Sequence, residues 1–267
     1  MSSFPNGLKL LGQVCARRLV VAALGLLTAV GAMAEKPADT SAGEIAMLPQ
    51  YCPDTMGFGY GDASSNTSPR ASHWVGLMGK SFWAMHHYCW GLIKYRRGTS
   101  GLLPPQTRIG YLQGANHEWE YVIRNSTADF IMLPEIYLRL GETHMQLKNY
   151  GLASAAFDES RKRKPDYPPP YLRWAEVLLM IGNKKGALAH LELGLRQAPT
   201  AAGLLAQYKR LGGDPEAFIR TLPAMPASSP GAPASATGSA LKDESAQAAA
   251  ASPPVPAAKT ASVAASH

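Results

Sequence analysis

Apolar residues between positions 72 and 97 recur at spacings of three and four, which is the pattern of a helix with one buried face. The residues of this face are Val75, Met78, Phe82, Met85, Cys89 and Leu92. The pattern predicts one helix, with Ser72 as its N-terminal cap and Gly98 as the residue that ends it.

A second, shorter apolar pattern predicts a helix over about 116–129. Its core-facing residues are Trp119, Val122 and Ile123. Pro104 and Pro105 lie between the two predicted helices and predict a loop there. We expect no strands of consequence, so the predicted fold class is all-α.

Two segments further along the chain, 134–165 and 168–199, are similar to each other at an offset of 34 residues. The matched pairs are Tyr137/Tyr171, Leu140/Trp174, Gly141/Ala175, Ala153/Ala187, Phe157/Leu191 and Pro165/Pro199. Small residues let two helices approach closely, and large residues fill the volume between them. Asn149 and the Gly182–Asn183 pair suit tight turns. Each segment therefore predicts a pair of antiparallel helices.

In its period and its order of small and large residues, this region resembles the tetratricopeptide repeat family. The resemblance implies a short α–α superhelix of stacked helix pairs. A partial third unit over 201–213 would cap the stack, and the helices of 72–131 would form a degenerate first pair. His144, Ser160 and Gly194 depart from the residues usual in the family at these positions.

The resemblance also implies a concave groove, lined by the first helix of each pair, that binds an extended or helical peptide. The matching positions are Glu135, Leu138, Glu142, Met145, Gln146, Leu172, Glu176, Leu179 and Met180. Apolar residues beside three carboxylates predict a partner segment that is amphipathic and basic, and methionines let the groove adapt. We expect a non-catalytic scaffold that binds a protein or peptide partner in the cell envelope.

The two ends of the chain predict export and a flexible tail. Residues 1–34 have the charged, apolar and small-residue regions of a bacterial secretory signal, whose cleavage would release a periplasmic protein. An uncleaved signal would anchor the protein in the inner membrane, although its apolar run is shorter than the roughly 20 residues of a bilayer span. Turn-forming residues in 35–71 predict irregular structure, and the Ala/Pro/Ser-rich range 223–267 predicts disorder. Between these end segments, we predict the first helical pair over 72–131 and the repeats with their capping helix over 132–222.

The net charge of +7 overstates how basic the mature protein would be. Lys9, Arg17 and Arg18 belong to the predicted signal, and their removal leaves 23 basic against 19 acidic residues. A dedicated nucleic-acid binder needs a concentrated cationic face, so we do not expect a nucleic-acid partner. The sequence also lacks GxSxG, P-loop and HExxH motifs, and we predict neither an enzyme nor a cofactor.

Two cysteines remain after removal of the predicted signal, Cys52 and Cys89. In an oxidising compartment such a pair predicts a disulfide. The alternative is a periplasmic metal- or thiol-dependent protein, because His86 and Cys89 are three residues apart and share a helix face, with Cys52 as a further candidate. Sequence does not show whether two sulfur atoms meet, so both interpretations stay open.

Overall fold

The computed structural model of the chain describes residues 37–58 and 68–223. Within these ranges the chain forms helices joined by turns and no strand, which confirms the predicted all-α class. The predicted signal (1–34) and the predicted tail beyond residue 223 lie outside the described residues. No described helix combines the length and the apolar character needed to cross a bilayer.

Several short helices precede the first long one. They are α1 (Ala42–Ala46), a 3-10 turn (Cys52–Asp54), α2 (Ala71–Met78) and a second 3-10 segment (Gly79–Ala84), and the long helix α3 (Met85–Thr99) follows them. The single helix predicted over 72–97 is therefore wrong. Gly79 ends α2 with a φ of 66°, a conformation that glycine adopts without steric cost. Ser72 is not the cap either, because α2 begins after Arg70.

The helix predicted over 116–129 begins earlier than expected, since α4 runs over Pro105–Arg124. Pro105 lies in its first turn, where a missing N–H is harmless because no intrahelical acceptor faces that position. The proline pair therefore starts a helix, and the loop predicted at Pro104 and Pro105 is wrong for Pro105.

The helices α3 and α4 pack against each other as the predicted first pair. The preceding segment, 37–58, is fixed against α3. Cys52 is joined to Cys89 by a disulfide with the Cα atoms 5.8 Å apart, as the sequence predicted. Arg97 of α3 donates hydrogen bonds to both carboxylate oxygens of Glu44 at 2.6 and 2.9 Å. This part of the range predicted to be irregular is therefore ordered by its contacts with α3 and with α2, where Trp74 donates its indole N–H to Asp54 at 2.7 Å.

Two helical hairpins follow and repeat with the predicted offset. The first is α5 (Leu133–Gln146) with α6 (Tyr150–Arg163), and the second is α7 (Pro169–Met180) with α8 (Lys184–Gln197). The second helices of the two hairpins begin and end 34 residues apart. Their N-caps also agree, with φ −85° and ψ 63° at Asn149 and φ −89° and ψ 67° at Asn183. The sequence repeat is therefore also a repeat of the backbone.

Small and large residues interlock inside each hairpin. A Cβ atom on Gly141 would lie 2.5 Å from the ring of Phe157, so α5 and α6 can approach this closely only with glycine there. At the equivalent positions of the second hairpin, Ala175 and Leu191 are fully buried. Gly141 and Ala175 thus occupy matching places in successive hairpins, as predicted.

The described chain ends with α9 (Ala202–Arg210) and α10 (Pro215–Arg220). The helix α9 packs on α7 and α8 and closes their apolar cluster, as expected of a capping helix over 201–213. Each long helix contacts the next, and α3, α5, α7 and α9 also contact one another in turn. These four helices form a continuous side of the stack, which we name the first-helix side.

Candidate interaction face

The predicted groove residues on α5 are buried inside the protein. Four are at most 5% exposed: Glu135, Leu138, Glu142 and Met145. Leu138 and Met145 pack against Val177 of α7, and the two carboxylates form ion pairs with arginines. The prediction that these four residues line an open groove is therefore wrong, because neighbouring helices cover them. Gln146, at the end of α5, is only half-buried.

The two buried carboxylates belong to a row of alternating charges that crosses from α5 to α7, which we name the charge ladder. Its members are Glu135, Arg139, Glu142, Arg173 and Glu176. Arg139 places Nε 2.7 Å from Glu135 and Nη1 2.9 Å from Glu142. Arg173 places Nε 2.7 Å from Glu142 and Nη1 3.2 Å from Glu176. Each guanidinium thus bridges two carboxylates, and Arg173 links the two hairpins.

The carboxylates keep both guanidiniums charged despite their burial. Burial alone would lower the pKa of Arg139, but Glu135 and Glu142 outweigh it, and the pKa lies well above its ordinary value. Arg173 shows the same balance: burial lowers its pKa, and Glu142 followed by Glu176 raises it further than burial lowers it. The ladder is therefore a set of ion pairs in which each interior charge has an opposite neighbour.

Two tyrosines enclose the buried end of the ladder. Tyr88 of α3 donates its hydroxyl to Glu135 at 3.2 Å, and Tyr167, between α6 and α7, donates to the other oxygen of the same carboxylate. Burial, followed by the charge of Glu135, raises the pKa of both hydroxyls. Both tyrosines therefore stay protonated and act as donors to a carboxylate that is out of reach of water.

The predicted groove residues on α7 remain partly accessible. Leu172, Glu176 and Leu179 are half-buried, and Met180 is 48% exposed. Leu172 and Leu179 pack in part on the apolar cluster that α9 closes. Ile181, which the sequence analysis did not single out, is also exposed. Leu172, Glu176, Leu179 and Met180 are the accessible stretch of the first-helix side, and we name these four residues the α7 face; Ile181 directly follows them as the C-cap of α7.

Arg139 and Arg173 are the site residues that sequence reasoning missed. They lie 34 residues apart, and each is followed three residues later by a glutamate, so an Arg-x-x-Glu motif recurs in both hairpins. Aligning the two segments reveals the motif. Its burial in one hairpin and exposure in the other depend on neighbouring helices and are not visible in the sequence.

At the Glu176 end of the charge ladder, no further arginine follows within the described chain. Glu142 accepts from one arginine on its own helix and from Arg173 on the next first helix, whereas Glu176 accepts only from Arg173 within the described chain. The residue of α9 equivalent to Arg173 is Gln207. Gln207 Oε1 accepts from Arg210, and its buried Nε2 has no hydrogen-bond partner among the described residues.

The geometry around His86 does not match the alternative prediction of a metal or thiol centre. Cys52 and Cys89 are bonded to each other, so neither sulfur is available as a thiolate ligand. His86 Nδ1 lies 2.9 Å from the carbonyl oxygen of Trp83, and burial followed by the charge of His87 lowers its pKa to about 4. Residues 37–58 and 68–223 contain no group of three or more metal-ligating side chains.

Fold and face together define an all-α protein of stacked helical hairpins, whose first-helix side is closed by ion pairs at α5 and accessible at α7. No protein-family model, no curated protein and no solved structure matches the chain. A function for this protein is therefore inferred from the residues of the α7 face.

Proposed function

We propose that this protein is an exported, non-catalytic scaffold that binds a protein or peptide partner in the cell envelope through its α7 face. The proposal keeps the tetratricopeptide-like interpretation, in which the first helices of the pairs carry the ligand. One observation carries it: equivalent positions along the same side of the stack are buried on α5 and accessible on α7.

The α7 face offers the chemistry of a protein-binding surface. It combines three apolar side chains, Leu172, Leu179 and Met180, with one carboxylate, Glu176, at positions three or four residues from it along α7. Apolar anchors with a few polar groups are typical of protein-protein contacts, and the flexible chain of Met180 can adapt to different partners. A basic, amphipathic segment would bury this apolar surface and pair with Glu176.

The disulfide supports the proposed location. Cys52 and Cys89 are completely buried and joined to each other, and such bonds persist in oxidising compartments and are rare in the cytosol. Together with the signal expected in residues 1–34, this favours a periplasmic protein. An uncleaved signal would hold the same scaffold at the inner membrane.

Site-specific photo-crosslinking in cells tests the proposal. A photoreactive residue at Met180 is compared with one at Leu193, which is 50% exposed but lies on α8. We expect a crosslinked partner at position 180 and none at position 193. Ile181→Asp should reduce the crosslink, while Leu152→Asp, at a similarly exposed position on α6, should leave it unchanged. Equal crosslinking at positions 180 and 193 would contradict binding through the α7 face.

A further inference from the structure

We infer that the α7 face selects an arginine on its partner, and that Glu176 is the carboxylate that receives it. The inference rests on the proposed function and deepens it by naming the residue that the partner must present. The partner is a helical segment in which one arginine is flanked by apolar residues.

The charge ladder contains one more carboxylate than guanidinium. The exposed fraction of the side chain is 5% at Glu135, 2% at Glu142 and 34% at Glu176. Arg96 lies at the buried end, where burial and then the charge of Arg139 lower its pKa, and it forms no ion pair with Glu176. Of the two carboxylates at the ends of the ladder, Glu135 is buried and accepts from two tyrosines, whereas Glu176 is accessible and has a single arginine partner among the described residues.

The protein already contains one contact of the proposed kind, between α5 and α7. Arg173 reaches Glu142 from the next first helix, and Val177, one turn later on α7, packs against Leu138 and Met145. On α7, the arginine is followed four positions later by an apolar residue. On α5, the carboxylate lies between two apolar residues in the sequence. This contact joins the two hairpins.

The α7 face repeats the acceptor half of that contact and lacks the donor. Leu172, Glu176 and Leu179 are the equivalents, 34 residues on, of the acceptor residues on α5. Gln207 of α9 stands in the donor's place, but it is neutral and its Nε2 has no hydrogen-bond partner in the part of the chain that the structure describes. The capping helix therefore covers the apolar residues in part without bringing a cation to Glu176.

Arginine suits this contact better than lysine. Arg173 uses Nε for Glu142 and Nη1 for both oxygens of Glu176, so one planar group serves two carboxylates. Guanidinium has several donors in a fixed fork and is weakly hydrated, whereas ammonium is a strongly hydrated point charge. A lysine in the partner should therefore bind more weakly than an arginine.

Titration of the purified full chain with two synthetic amphipathic helical peptides tests the inference. Both carry leucines three and four residues from a central position, which is arginine in one peptide and citrulline, its neutral isostere, in the other. We expect the arginine peptide to bind the wild type about fivefold more tightly, as a partly exposed ion pair allows. Glu176→Gln should remove this preference.

Glu159→Gln is the matched control, because Glu159 is a paired glutamate on α6 whose side chain is 35% exposed. It should keep the preference for arginine. Gln207→Arg provides a second readout: by pairing with Glu176 inside the protein, the new arginine should weaken binding of the arginine peptide about twofold and leave binding of the citrulline peptide unchanged.

Equal binding of the two peptides to the wild type, or no binding of either, would overturn the inference. The crosslinking experiment separates this failure from that of the proposed function. If a partner still crosslinks at Met180 and not at Leu193, the scaffold function stands and only the choice of arginine fails. If crosslinking at the two positions is equal, the proposed function itself fails.

Discussion

The two hairpins share one backbone but have different neighbours. The helix α5 lies between the first pair and α7, so its Arg-x-x-Glu motif is buried and its glutamates are enclosed by arginines and tyrosines. The helix α7 has only the short helix α9 on its far side, and the same motif remains half-exposed there. The neighbouring helices therefore decide whether a repeated motif is buried or remains partly accessible.

Removing the central arginine of each motif should give the largest contrast. Arg139→Leu leaves two buried carboxylates without their shared cation and should lower the free energy of unfolding by about 3–5 kcal/mol. Arg173→Leu should lower it by only about 1–2 kcal/mol, because Glu142 keeps Arg139 and Glu176 is reached by water. Urea unfolding followed by circular dichroism measures both. Equal losses would show that the difference in burial has no energetic consequence.

The two hairpins should also differ in how their stability responds to low pH, because His190 of α8 is equivalent to Ala156 of α6. Burial, followed by the charge of Arg161, lowers the pKa of His190 from 6.5 to about 4. The imidazole of His190 therefore takes up a proton at a higher pH in the unfolded chain than in the folded chain. The contribution that neutral His190 makes to the free energy of unfolding at pH 7 is lost as the pH falls from 6.5 to about 4.

Replacing His190 by alanine should make the second hairpin resemble the first in acid. We expect His190→Ala to reduce the loss of unfolding free energy between pH 7 and about pH 4 by about 1–2 kcal/mol, since the imidazole is partly exposed. The measurement is urea unfolding at both pH values. The contribution of His86, in the first pair, should remain, and an unchanged pH dependence would contradict the assignment to His190.

The hairpin turns give a smaller contrast. Lys148 and Gly182 occupy equivalent positions with φ of 61° and 78°, and only glycine adopts this conformation without steric cost. Lys148→Gly should therefore stabilise the protein by up to about 1 kcal/mol, whereas Gly182→Lys should destabilise it by about 1–2 kcal/mol. Thermal unfolding measures both changes, and shifts of the same sign would argue against equivalent turns.

The smallest expected effect comes from adding one more arginine to the charge ladder. Gln207→Arg should bring a guanidinium to Glu176 and stabilise the protein by about 0.5 kcal/mol, the size of an exposed ion pair. A double-mutant cycle with Glu176→Gln isolates the contact. A gain that survives in the Glu176→Gln background would have a different origin.

The hairpins could be predicted from sequence because their determinants lie within each 34-residue segment. Gly141 and Phe157 touch inside one hairpin, so their spacing already encodes the contact. The disulfide could be predicted only as one of two possibilities: Cys52 and Cys89 are the two cysteines left once the expected signal is removed, but their spacing does not show that the sulfur atoms meet.

The accessible face could not be predicted in the same way. Leu138 on α5 and Leu172 on α7 look alike in sequence, but one is enclosed by a long neighbouring helix and the other only in part by a short one. The break at Gly79 was hidden for a related reason. Met78 and Phe82 are buried on both sides of it, so the apolar spacing continues where the helix does not.

The bond between Cys52 and Cys89 closes a ring that lies within the first third of the chain. Both cysteines are added to the growing chain before Leu133, the first residue of α5. The ring can therefore be sealed before either hairpin has been made. Closure of the ring therefore needs no residue of the later helices, and it ties Cys52 to α3 independently of them.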